Sequence, residues 1–122
     1  MKNCKSLLCL LAFALAFTVV AATAADAPPL TFKFTKASVP GATTTSAGGI
    51  NNSGMSVGSY TDSAGNSHGF VYKEEAKSFQ SVDDPDGVGT TVVNGINDKG
   101  DLVGFFDSAP IKSGFIATPV ER

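Results

Sequence analysis

The stretch Gly48 to Phe70, GGINNSGMSVGSYTDSAGNSHGF, returns in nearly the same terms at Asn94 to Phe115, NGINDKGDLVGFFDSAPIKSGF. Within it, Asn51-Asn52-Ser53-Gly54 has the chemistry of a tight hairpin, because Asn bonds its own backbone locally and Gly takes a positive φ without a Cβ clash. Met55 to Thr61 then reads as a strand, with Val57 on one face and Tyr60 on the other. Asp62 to Asn66 forms a second turn, and His68 to Lys73 returns as a strand carrying Phe70 and Tyr72 on one face.

Upstream, Thr31 to Val39 (TFKFTKASV) alternates Phe32 and Phe34 against Lys33, as a half-buried strand requires, and Pro40-Gly41 ends it. Thr43 to Gly49 is a weaker strand of small residues. Downstream, Glu74-Glu75-Ala76-Lys77 is an exposed turn, after which KSFQSVDDP restarts the cycle. Phe79 and Pro85 stand 45 residues after Phe34 and Pro40, whereas Ile96, Gly100 and Val103 stand 46 after Ile50, Gly54 and Val57. The spacing returns to 45 at Gly114-Phe115, and both changes fall near turns, where length changes are tolerated.

A unit of about 45 residues with four short strands has the period and strand count of a propeller blade. The fold expected is therefore all-β: two four-stranded antiparallel meander repeats, β-propeller-blade-like, over residues 32–78 and 79–119, with a tail at 120–122. Propellers generally need about four to eight blades to close. Two blades must pack face to face, close as a small barrel, or find the missing blades in another chain. The expected core is Phe34, Ile50, Val57, Phe70, Phe79, Ile96, Val103 and Phe115, with Phe32, Val93 and Ile116 helping. Of the adjacent pair Phe105-Phe106, one ring is expected to stay exposed, since neighbours on a strand face opposite ways.

The first 24 residues stand apart from this pattern. Lys2 and Lys5 precede an apolar run from Leu7 to Ala22 that closes on Ala22-Thr23-Ala24, the composition of a cleaved signal peptide. The run is short of the roughly 20 residues that span a bilayer, so no stable membrane anchor is expected after cleavage. The helix of this leader is not expected to be part of the fold. Residues 25–31, with Pro28-Pro29, read as a flexible tether.

Both cysteines, Cys4 and Cys9, lie in the leader, so the mature chain carries no disulfide and no thiolate metal site. Loss of Lys2 and Lys5 leaves seven basic against eleven acidic residues, a net charge of −4 over 98 residues. That balance disfavours nucleic acid, whose phosphates need clustered Lys and Arg.

The repeated pattern, PGATTTSAGGINNSG followed by VGSYTDSAGNSHGFVY, then PDGVGTTVVNGINDKG and SGFIATP, resembles the bacterial extracellular repeats of the HAF family over roughly residues 32–119. His68-Gly69-Phe70 matches that family's signature tripeptide, and the second copy departs from it with Ser113-Gly114-Phe115. The resemblance implies export and a β-rich repeat architecture, with no activity or ligand attached.

No residue is assigned as catalytic, cofactor-binding or metal-ligating, and no cofactor is expected. His68 is the only histidine; its neighbour Ser67 points to the opposite face of the strand, so a locally hydrogen-bonded histidine is the better reading than a hydrolase base. Asp83-Asp84-Pro85-Asp86-Gly87 lacks the alternating ligands and distal Glu of an EF-hand, and reads as a solvated turn. Glu74 and Glu75 have no burial to separate their pKa values.

The expected function is that of a secreted, non-enzymatic binding or interaction module, extracellular or periplasmic, with an unknown ligand or protein partner and with self-association through open sheet edges as one route. The alternatives are a hydrolase using His68, or a calcium- or carbohydrate-binding module using the turns.

Overall fold

The computed structural model describes residues 26–121. By contact the chain divides into Met1–Lys33 and Phe34–Arg122. In the first part the described residues, 26–33, contain no helix or strand, and the leader expected at 1–24 lies outside the described residues. Among the described residues, all the strands belong to the second part.

The described chain is all-β. Its strands are β1 (Thr44–Ile50), β2 (Met55–Thr61), β3 (Ser67–Lys73), β4 (Ser78–Val82), β5 (Val92–Ile96), β6 (Leu102–Ser108) and β7 (Ile111–Ala117). They form two antiparallel sheets, the first in the order β1-β2-β3-β4 and the second in the order β5-β6-β7. Neither closes into a barrel.

The turns form where the sequence places them. Asn51 Oδ1 accepts from the backbone of Ser53 at 3.1 Å and Met55 at 3.0 Å, while Gly54 sits at φ 72°. The Asn97 turn has the same bonds: its Oδ1 accepts from Lys99 and Asp101, both at 2.9 Å. In both sheets the first strand carries a bulge, at Ala47/Gly49 and, 46 residues on, at Val93/Gly95. Asx turns and bulges pin register, because a one-residue slip would turn every side chain to the wrong face.

The sheets pack face to face, with β5 lying across β1, β2 and β3. Val57, Val93 and Leu102 form the buried centre, and Val71, Val82, Ile96, Phe115 and Ala117 pack around them. The pairing registers assign Val57, Gly69, Val71 and Val82 to one face of the first sheet, and Val93, Leu102, Phe106, Phe115 and Ala117 to the facing side of the second. A Cβ on Gly69 would lie 2.5 Å from Val93 Cγ2, so the missing side chain is what lets the sheets approach there.

The linking segment between the sheets is fastened by Thr91, which is fully buried. Its hydroxyl donates to the Gly87 carbonyl at 2.7 Å and accepts from the Asp84 N–H at 3.1 Å. The 83–87 stretch is thus a turn, as its Asp, Pro and Gly content predicts.

Two expectations are corrected. The strand over Thr31 to Val39 does not form, and Phe32 and Phe34 are 74% and 92% exposed, leaving sheets of four and three strands in place of four and four. The reason is pairing: β4, which restarts the sequence cycle, hydrogen-bonds back to β3 and completes the first sheet, so the same segment one unit earlier has no preceding sheet to join. The core also differs. Ile50, Val103 and Ile116 are exposed, Phe79, Ile96 and Phe115 are half-buried, and Leu102 and Phe106 are buried in their stead. Phe105, the other member of the aromatic pair, is half-buried with Lys112 Nζ 4.2 Å from its ring centre.

Candidate functional site

The most densely bonded charged cluster surrounds His68. It lies near the start of β3, on the face of the first sheet that points away from the second, where cross-strand pairing sets it beside Tyr60. The two rings stack with centroids 5.1 Å apart, and the Tyr60 hydroxyl lies 3.1 Å from Ser81 Oγ on the far side of β3.

Each imidazole nitrogen meets a different carboxylate. Nε2 is 3.1 Å from Asp62 Oδ2, and Nδ1 is 2.9 and 3.0 Å from the two oxygens of Asp83. Asp62 is fixed by the β2–β3 turn, where its Oδ1 accepts from the backbone of Ala64 at 2.8 Å and Asn66 at 2.9 Å. Asp83 arrives from the end of β4. The ring therefore ties a hairpin turn to the segment that leads to the second sheet.

The electrostatics follow from these bonds. The backbone N–H of Asn66, then His68, hold the Asp62 carboxyl down at about 2. Partial burial opposes the charged imidazole, but the hydrogen bonds and charges of Asp62 and Asp83 outweigh it, and the His68 pKa is raised above its ordinary 6.5. Two carboxylate partners need two N–H donors, and the imidazolium is the form that has both.

An imidazolium donating from both nitrogens has no lone pair for a substrate proton or a metal. The carboxylates lie on opposite edges of the ring and do not converge on one point. Among the described residues no three His, Cys, Asp or Glu side chains are grouped to hold a metal ion. The arrangement serves as a charged clamp, and its partly exposed groups leave it open to solvent.

The sequence reading of His68 as locally hydrogen-bonded covers its bond to Asp62 but not the one to Asp83, 15 residues on. One signal was available. The second sequence copy has Ser113 in place of His68, and the segment before the first copy has Ser38 in place of Asp83, so both charges of that pair are absent together. Glu74 pairs with Lys77 within its own exposed turn and is not brought toward the histidine.

A second feature is a cleft of about 380 Å³ between the sheets at the opposite end. Met55, Val82 and Leu102 line its apolar part, with Lys73, Gln80 and Lys99 also in its wall. Comparison of the chain with protein-family models, with curated proteins and with solved structures finds no match.

Proposed function

We propose that the chain is an exported, non-enzymatic interaction module made of two copies of one blade-like β unit. The observation that carries this reading is the recurrence of the same backbone arrangement 45 or 46 residues apart, without recurrence of the charged cluster. Val39 N–H donates to Thr45 Oγ1 at 3.1 Å, as Asp84 N–H does to Thr91 Oγ1, and the Asn51 turn is matched at Asn97. Equivalent positions also touch across the sheets: Asn51 Nδ2 donates to the Asn97 carbonyl at 3.1 Å, and Asn52 Nδ2 to Asp98 Oδ2 at 2.6 Å.

What recurs is turn and packing chemistry, the signature of a scaffold that presents surfaces. The bacterial extracellular HAF-type repeats supply the analogy for such a unit, and the apolar leader ending at Ala22-Thr23-Ala24 supplies the route out of the cytoplasm. The decisive experiment compares wild type with His68→Asn across hydrolase substrates. The reading predicts no turnover that depends on His68; hydrolysis lost in the variant, with its melting transition intact, would make the protein an enzyme instead.

A further inference from the structure

The second sheet lacks the strand that completes the first. In the first sheet β4 pairs along β3 through Gly69↔Val82, Phe70↔Ser81, Val71↔Gln80 and Tyr72↔Phe79. The equivalent strand β7 is an edge: β6 is its only partner in the sheet among the described residues. Open edges with unpaired amides and carbonyls invite another strand.

The chain contains a strand of the right kind. Residues 34–37 stand 45 positions before Phe79 to Val82, and run into the same turn, with Ala42 N–H donating to the Val39 carbonyl at 3.1 Å as Gly87 N–H does to Asp84 at 2.9 Å. In sequence they are a β4; in the structure they pair with nothing among the described residues.

The outer faces make the same point independently. On the exposed face of the second sheet, Val103 and Ile116 are 46% and 77% exposed. They occupy the places of Val57 and Val71, which in the first sheet are packed in the cluster with Val93 and Leu102 of the second. Two residues along β7 from Ile116, Gly114 stands where Gly69 receives Val93, and a Cβ there would meet nothing closer than 3.7 Å. The opposite outer face, on the first sheet, carries the exposed Ala47 and the half-buried Tyr60 at the places where the second sheet carries the buried Val93 and Phe106; Phe70, at the place of Phe115, is already covered within the molecule.

We propose that the partner is a second molecule of this chain, which stacks the outer face of its first sheet on the outer face of the second sheet and adds its residues 34–37 to β7 as the missing fourth strand. The inference rests on the reading of two equivalent units. The register follows from β3–β4: Gly114 opposite Ala37, Phe115 opposite Lys36, Ile116 opposite Thr35 and Ala117 opposite Phe34. Ser38 then reaches Ser113, as Asp83 reaches His68, and the pair lost from the charged cluster is lost on both sides of one contact. The turn after residues 34–37 leads into β1 as the turn after β4 leads into β5, so by the same analogy the strand belongs to a sheet stacked on the outer face of the first one, which a second molecule supplies. The contact is heterologous, and about two to four molecules would supply the four to eight blades of a closed ring.

The test is sedimentation of the full chain as its host produces it, over a range of micromolar concentrations. Wild type is expected to associate to a dimer or larger, while Phe34→Asp, which damages the donated strand, and Ile116→Asp, which damages the receiving face, are each expected to stay monomeric with an unchanged melting temperature. Mixed together, the two variants are expected to form a one-to-one dimer, because each retains what the other lacks. A monomeric wild type, single variants that associate like wild type, or a mixture that stays monomeric would each overturn the proposal. Such a failure would leave the non-enzymatic reading standing, whereas His68-dependent turnover would remove that reading without touching the assembly.

Discussion

Val57 and Val103 occupy the same step of equivalent strands, yet Val57 is fully buried and Val103 is 46% exposed. The difference lies in what covers them, not in their own chemistry. The face of the first sheet that carries Val57 has the second sheet against it, and β4 lies along its edge; the face of the second sheet that carries Val103 and Ile116 is uncovered, and β7 pairs only with β6 among the described residues. A residue's burial here depends on whether another sheet covers its face, and not on the strand pattern around it.

The sharpest way to break this comparison is to put a carboxylate at both places. Val57→Asp should abolish cooperative folding, because an unpaired charge in the centre of the core costs several kcal/mol against a total stability of about 5–15. Val103→Asp should remain folded, with a loss below about 1 kcal/mol, read from thermal melts. Equal losses at the two sites would mean that the sheets are covered alike.

Glycine gives the next largest contrast. Gly69→Ala forces a Cβ to within 2.5 Å of Val93 Cγ2 and 2.7 Å of the Val82 carbonyl, and should cost about 1–3 kcal/mol by overpacking. Gly114→Ala, with its nearest atom at 3.7 Å, should be close to neutral in the isolated molecule. Urea midpoints of the two variants measure the difference.

The smallest effect expected belongs to the charged clamp, present in the first sheet alone. A raised His68 pKa means that its stabilisation is complete below pH 6.5 and fades as pH rises through the folded-state value. The lowered Asp62 pKa works in the other direction, its contribution being complete above pH 3.8 and lost as pH falls toward about 2. His68→Gln should therefore remove the decline of melting temperature on the alkaline side, at a cost of about 1 kcal/mol near pH 5. An unchanged pH profile in that variant would show that the imidazole carries no such linkage.

Much of the fold was legible because turn chemistry is local. The bonds that form the Asn51-Asn52-Ser53-Gly54 and Asp62 to Asn66 turns span only a few residues, so composition alone locates them and, between them, β2. The core was less legible, since Phe34, Val103 and Ile116 carry the pattern of buried residues without the neighbour that would bury them. Leu102 and Phe106 were missed because the facing side of the second sheet is selected by stacking, which period-two alternation does not report. The site was legible only in part for the same reason: the turn that brings Asp62 to His68 is short, whereas Asp83 comes by way of β4.

Whether an equivalent position behaves alike once it is covered is read most directly by amide hydrogen exchange at two protein concentrations. At high concentration, residues 34–37 and β7 should gain protection approaching that of β4 and β3, and should lose it on dilution while β3 and β4 stay unchanged. Rapid exchange at 34–37 at every concentration would contradict the account.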